Sequence, residues 1–215
     1  MRNPDGSLVL GRTRWRRFTL AVVPAAAAVG ALMFGVMAGA FLPQFTVSGQ
    51  QFKVSADRLE GTGFSQFPGF DQTADGTNLP VARSVIDHAE LTNLCQSVRL
   101  DLGPLLPVLF PGVDALVLRI EAGGGGTPAE ANDLVIGLTE LSGDAEFTNI
   151  QIGNDAGELS GEALFQGQPG QRADAITINN LQQLSYSTTA GSFKLTGLSL
   201  RVIASTPSEP DGECF

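Results

Sequence analysis

One uncharged run, residues 18–42, constrains the fold of this chain more than any other feature. As a helix rising 1.5 Å per residue, it spans about 37 Å, which exceeds the ~30 Å hydrocarbon core of a bilayer. Helices in a soluble core are rarely apolar on every face over such a length. The run therefore predicts one N-terminal transmembrane helix or a signal segment.

The charges before this run predict its orientation. Four arginines lie between residues 12 and 17, and the positive-inside rule keeps such a flank in the cytoplasm while the chain after residue 42 is translocated. The run is longer than the usual apolar part of a signal peptide, which favours a retained anchor. Ala38-Gly39-Ala40 nevertheless has the small-x-small pattern of a cleavage site, so secretion after cleavage near Ala40 is the alternative.

Charge also separates the two parts of the chain. Residues 1–40 hold five arginines against one aspartate, which is +4, and the whole chain is −9, so residues 41–215 carry −13. A domain this acidic repels a phosphate backbone, and we expect no nucleic-acid partner. The expected partners are the membrane, through residues 18–42, and another envelope protein or a lipid.

The two cysteines, Cys95 and Cys214, predict one disulfide in an exported domain. Closing a loop of about 120 residues would stabilise the fold by roughly 4–5 kcal/mol in the chain-entropy model. The bond would tie the Pro-, Ser- and acid-rich tail, residues 205–215, to a β domain over residues 45–204. Free thiols and an intermolecular link are the alternatives.

Beyond residue 45 apolar residues recur with a period of two, which is the period of β-strands. This alternation predicts an all-β domain. The alternating sets include Leu134, Ile136 and Leu138; Ile176 and Ile178; and Leu198, Leu200 and Val202.

The alternation slips by one residue at several similar sites. Each slip needs a bulge or corner, because otherwise the next apolar residue would face solvent. Asn93, Asn149, Asn180 and Gly197 occupy the second position of these slips and tolerate left-handed backbone angles. A weaker slip of the same kind lies at Thr139-Glu140, directly before Leu141. Their spacing is irregular, so we expect a single irregular stacked sheet, roll or sandwich rather than a solenoid.

An apolar segment, residues 105–113, contains two prolines and cannot lie in the middle of a sheet. It is either a buried loop or an exposed apolar lip for a lipid or a protein. The candidate lip residues are Leu105, Leu106, Val108, Leu109 and Phe110.

Catalytic and metal-binding patterns are weak. His88 adjoins Asp87, but neighbours on a strand point to opposite faces. Ser192 and Lys194 share a strand face without a supporting motif, and the chain lacks G-x-S-x-G. Residues 154–162 lack the residue order of a calcium loop. We therefore expect no catalytic residues, no metal site and no cofactor.

Several short motifs resemble those of an actinobacterial family of exported or membrane-anchored proteins of unknown function. They lie at residues 11–18, 45–50, 52–55, 60–66, 91–96, 188–195 and 213–215, and so extend over nearly the whole chain. Both cysteines fall within these motifs, which fits the predicted disulfide. Members of this family are often labelled cholesterol esterase by automatic transfer, so the resemblance implies an esterase without assigning any catalytic residue.

Three functions follow from these observations. The first is a non-catalytic cell-envelope or surface protein, anchored or secreted, that acts by binding or assembly. The second is a lipid- or sterol-binding β domain, suggested by the sheet corners and the apolar lip. The third is a lipid esterase, which only the resemblance implies.

Overall fold

The computed structural model of this chain describes residues 46–47, 49–73, 75–100, 110–113, 115–205 and 212–215. The basic flank, the predicted membrane or signal segment and four of the five lip residues lie outside these ranges. Within them, no helix has both the length and the apolar character needed to cross a membrane.

The described part of the chain is almost entirely β-structure. Its helical elements are one short α-helix, α1 (Ala156–Ser160), and one 3-10 turn (Ala163–Phe165). The strands are β1 (Thr46–Val47), β2 (Phe52–Thr73), β3 (Asn78–Thr92), β4 (Leu94–Leu100), β5 (Ala115–Ala122), β6 (Ala129–Thr148), β7 (Gln151–Asp155), β8 (Pro169–Thr189), β9 (Ser192–Lys194) and β10 (Ser199–Ser205).

Four long strands close into a ring. Each of β2, β3, β6 and β8 is antiparallel to its two neighbours, and β8 pairs back onto β2. One circuit runs from Phe52 to Ser185, Leu138, Ala82 and Pro68, so it returns to β2 sixteen residues further along (68 − 52). Such a large stagger tilts the strands steeply and widens the ring, which lets only four strands enclose side chains.

The all-β prediction is confirmed, whereas the expected stacked sheet or sandwich is replaced by one sheet that closes on itself. Apolar side chains from all four ring strands fill the interior, and Ile176 and Leu181 are at most 2% exposed. Burying such side chains contributes about 1.5–3 kcal/mol each before the entropy of ordering them is counted.

The predicted corners are confirmed at all four positions. Asn93, Asn149, Asn180 and Gly197 have φ angles of 52°, 54°, 54° and 71°, which lie in the left-handed region. The weaker slip also marks an irregularity, because the pairing of β6 with β8 shifts between Leu138 and Glu140.

Each asparagine corner is reinforced by a hydrogen bond that the sequence did not reveal. The asparagine Nδ2 donates to an aspartate carboxylate on another strand, so the side chain links the bulge to a neighbour in the sheet. A charged acceptor makes such a bond stronger than a neutral one. The pairs are Asn93 with Asp57 (2.5 Å), Asn149 with Asp174 (2.7 Å) and Asn180 with Asp144 (3.2 Å).

Beyond β2 the sheet continues through β4 and β5 to β10. Residues 212–215 are linked to this extension by the predicted disulfide between Cys95 and Cys214, whose Cα atoms are 5.8 Å apart. The Cys214 amide donates to Ser97 Oγ at 3.0 Å, and Lys53 Nζ lies 3.3 Å from a carboxylate oxygen of Glu213. The end of the chain is therefore held by several contacts and not by the disulfide alone.

Candidate interaction surface

The outermost strand, β10, exposes apolar side chains to solvent. Leu200 is 57% exposed and Val202 63% exposed. In the antiparallel register they lie opposite Ile120 and Leu118 of β5, so their side chains share one face of the sheet. This apolar face extends across β4, β5 and β10, and its members are Val98, Leu100, Leu116, Leu118, Ile120, Leu200, Val202 and Ala204.

The opposite face of the same three strands combines buried apolar residues, such as Val117, with ion-paired polar ones. Glu121 forms ion pairs with Arg119, at 2.7 Å, and with Arg201. Partial burial opposes ionisation of Glu121, but the hydrogen bond from Arg201 and the charge of Arg119 outweigh it and lower the pKa of this carboxyl. The charged side chains of this face are therefore paired with one another. The described residues do not cover the apolar face in a comparable way.

No described strand pairs with the outer edge of β10 over residues 199–204, so this edge is open there. An open edge presents unpaired backbone N–H and C=O groups to any extended segment that approaches. Native proteins usually protect such edges with charges, prolines or bulges. On the apolar face, the side chains beside this edge are those of Leu200 and Val202, which do not protect the edge.

Only one residue of the predicted apolar lip is described. Phe110 is 48% exposed, and its carbonyl accepts a hydrogen bond from the Val113 amide at 3.1 Å, which forms a tight turn. Leu105, Leu106, Val108 and Leu109 lie outside the described residues, so the lip stays a prediction.

The strands β3, β6 and β9 bring the histidine beside other polar groups. His88 Nδ1 is 2.8 Å from Asn132 Oδ1, and Asn132 Nδ2 donates to Ser192 Oγ at 2.8 Å. Asn132 thus separates the imidazole from the serine hydroxyl. Lys194 Nζ is 2.9 Å from Glu130 Oε1. Neither base contacts Ser192, so the described residues form neither a Ser-His pair nor a Ser-Lys dyad.

The acidic segment predicted to lack calcium ligands has a structural role. Asp155 caps α1: its Oδ1 accepts from the Gly157 amide at 2.7 Å, and its Oδ2 accepts from the Gly167 amide at 2.9 Å. In the described part of the chain, no group of three or more His, Cys, Asp or Glu side chains could hold a metal ion.

A separate apolar groove of about 360 Å³ lies where β7 and β8 meet the β2–β3 hairpin. Its apolar lining includes Phe67, Pro68, Val81, Ile152 and Pro169. Its volume is near the lower end of the range of small-molecule sites, about 300–1,000 Å³.

Comparison with family models gives one match, a family of unknown function designated DUF6230, over residues 48–215. The chain belongs to this family. The family match includes the closed ring, both cysteines and the exposed strand β10. The curated proteins contain no match to this chain, and neither do the solved structures. The predicted membership of an uncharacterised family is confirmed, while the bacterial source and the esterase label stay predictions.

The only histidine of this family member should titrate above its ordinary value. The hydrogen bond to Asn132 raises the pKa of His88, whereas partial burial of the ring lowers it. Glu90, whose carboxylate is 3.6 Å from Nε2, raises this pKa further. A raised folded-state pKa means that protonation of His88 favours the folded state. This contribution is fully present below the unfolded pKa of about 6.5 and disappears as pH rises through the folded pKa.

This pKa can be measured by NMR without assignment, because the chain contains a single histidine. We expect the wild-type imidazole to titrate above 6.5 and Asn132→Ala to lower its pKa. Glu90→Gln should also lower the pKa, because it removes a carboxylate that favours the protonated imidazole. An Asn132→Ala pKa equal to the wild-type value would contradict the described hydrogen bond.

Proposed function

We propose that this chain is a non-catalytic protein of the cell envelope that binds a protein partner at the edge of β10. In this proposal residues 18–42 anchor it in the membrane with the C-terminal domain outside, or it is secreted after cleavage near Ala40. The observation that carries the proposal is the open edge of β10 together with the exposed side chains of Leu200 and Val202.

Strand addition fits both properties of this surface. An extended segment of a partner would pair its backbone with the outer edge of β10, and its alternate side chains would cover the apolar face. A lipid could cover the side chains, but it could not satisfy a row of backbone N–H and C=O groups. The geometry therefore favours a protein over a lipid as the occupant of this edge.

The polar clusters of the described residues support binding over hydrolysis. His88 and Ser192 are held apart by Asn132, and Lys194 is engaged by Glu130. A nucleophile without a base at hydrogen-bond distance lacks the activation that acyl transfer needs. The esterase label consequently gains no support from this geometry.

The proposal is tested by combining Leu200→Ser and Val202→Ser in the full-length chain and capturing the protein from its native envelope. We expect one protein that is enriched with the wild type to be lost with this double variant. Leu164→Ser is the matched control, because Leu164 is 72% exposed and lies in the 3-10 turn after α1, away from both β10 and the groove lining. An unchanged set of captured proteins, or equal loss with the control, would count against β10 as the binding edge.

The apolar groove beside β7 supports a second candidate, the binding of a lipid or sterol. Phe67 and Val81 line it and are only 6% exposed, so its floor is apolar. Native mass spectrometry of the purified chain should then show a bound lipid, and Ile152→Arg at the rim should remove it. A wild-type protein without bound lipid would leave this candidate unsupported.

A further inference from the structure

A polar pocket of about 550 Å³ lies where β8 is flanked by β2 and β7. Ser65 of β2 and Gln151 of β7 are both paired with Arg172 of β8, so the three side chains share one face of the sheet. The apolar groove lies on the other face of β7 and β8, since Ile152 and Gln171 line it. The volume of the polar pocket falls within the range of small-molecule sites, about 300–1,000 Å³.

Two side chains of opposite charge lie in this pocket without pairing with each other. Arg172 and Asp174 are two positions apart on β8 and so point to the same face. Arg172 Nε instead donates to Gln151 Oε1 at 2.9 Å. Asp174 Oδ2 accepts from Asn149 Nδ2 at 2.7 Å. Neutral amides thus orient both charged groups, and no described residue bonds to the terminal amino groups of Arg172 or to the other carboxylate oxygen of Asp174.

The walls of the pocket are shaped by α1 and by two glycines. Leu159 of α1 borders the pocket, and a Cβ atom at Gly170 would lie 2.7 Å from Leu159 Cδ1, so a larger residue there would push Leu159 away. Gly63 of β2 lies beside Asp174 in the register, and the Asp87 carboxylate fills the space where a side chain would be. The pocket therefore has one apolar wall, one cation, and carboxylates beside neutral amide and hydroxyl groups.

This mixture of groups favours a neutral ligand with several hydroxyl groups. A hydroxyl both donates and accepts hydrogen bonds, so neighbouring hydroxyls can bond to Asp174 and to Arg172. A free anion would be repelled by Asp174 and Asp87, and by the net charge of −13 on residues 41–215. A free cation would be repelled by Arg172 and would leave its guanidinium without an acceptor.

We infer that this pocket binds a neutral saccharide, with Arg172 donating to sugar oxygens and Asp174 accepting from sugar hydroxyls. Leu159 supplies an apolar wall for the C–H groups of the sugar ring. A small zwitterion fits less well, because Arg172 and Asp174 are about 6.8 Å apart along the strand, which is wider than the separation of the two charges of an amino acid. The inference goes beyond the proposed function, since no residue of β10 lines the pocket.

The test presents the full-length chain in detergent to an array of neutral hexose oligosaccharides, sulfated glycans and uronic-acid glycans. We expect binding to neutral members of the array. The neutral oligosaccharide that binds most strongly is then titrated against Arg172→Met and Asp174→Asn. Each variant should weaken binding about tenfold or more, because each removes a hydrogen bond to a charged group. Circular dichroism checks that each variant is folded, and if Asp174→Asn does not fold, Arg172→Met alone decides.

Matched control variants lie at another corner of the sheet. Asp57→Asn removes the carboxylate that accepts from Asn93, a contact of the same kind as that between Asp174 and Asn149. Arg58→Met removes an exposed arginine of β2. Both controls should bind the oligosaccharide as the wild type does. An absence of binding to neutral glycans, binding to acidic glycans alone, or equal weakening by the controls would each overturn the saccharide site. None of these results bears on binding at β10.

Discussion

Removing the disulfide, by Cys95→Ala with Cys214→Ala, should lower the free energy of unfolding by roughly 4–5 kcal/mol. The two cysteines are 119 positions apart, so the bond removes much conformational freedom from the unfolded chain. For a domain of this size the loss corresponds to a decrease in Tm of about 10–20 °C, measured by circular dichroism on the full chain in detergent. Alanine is chosen because Cys95 is buried and a serine there would add a polar group.

The control for this prediction leaves the disulfide intact. Lys53→Ala removes the ion pair with Glu213 and the contact of Lys53 Nζ with the Phe215 ring, 5.3 Å from its centroid. Because Lys53 and Glu213 are partly solvated, their pair should contribute about 0–1 kcal/mol. If the double alanine variant lost no more stability than Lys53→Ala, the short-range contacts and not the covalent link would hold residues 212–215.

The second large effect concerns a buried carboxylate. Asp71 is 5% exposed; its Oδ1 accepts from Arg83 Nη2 at 2.8 Å and its Oδ2 from Ser187 Oγ at 2.6 Å. Arg83→Ala should destabilise the domain by roughly 3–5 kcal/mol, because it leaves a buried charge without its cation. Urea unfolding monitored by circular dichroism measures this change.

A double variant distinguishes the charge from the packing. Asp71→Ala together with Arg83→Ala removes both charges and should cost less stability than Arg83→Ala alone. A double variant that is less stable than Arg83→Ala would show that Arg83 acts mainly through packing. Gly137 belongs to the same cluster, since a Cβ atom there would lie 2.2 Å from Asp71 Oδ2 and 2.5 Å from Ser187 Oγ.

Local features of this fold could be predicted from the sequence, and long-range ones could not. The corners at Asn93, Asn149 and Asn180 were predictable, because a slip in alternation and a residue that tolerates positive φ are both visible in a few neighbouring residues. The disulfide followed from the small number of cysteines and the expected compartment. Closure of the ring depends on the pairing of β8 with β2, which no local pattern specifies.

The same limit explains why the exposed apolar face of β10 could not be predicted from the sequence. Alternation at Leu198, Leu200 and Val202 correctly indicated a strand over part of this run, but alternation alone does not say whether the apolar face is buried. All three residues are more than half exposed, because the strand lies at the end of the sheet order. The hydrogen bond between Ser187 and Asp71, which are 116 positions apart, could not be predicted either, because it depends on closure of the ring.

Binding at β10 is tested most directly by amide hydrogen exchange of the full-length chain, alone and with the purified protein that β10 captures. Strand addition pairs the backbone groups that point away from β5, so it should slow exchange at alternate amides within residues 199–204 and leave the amides already bonded to β5 little changed. Unchanged exchange throughout β10 in the presence of saturating partner would contradict the account.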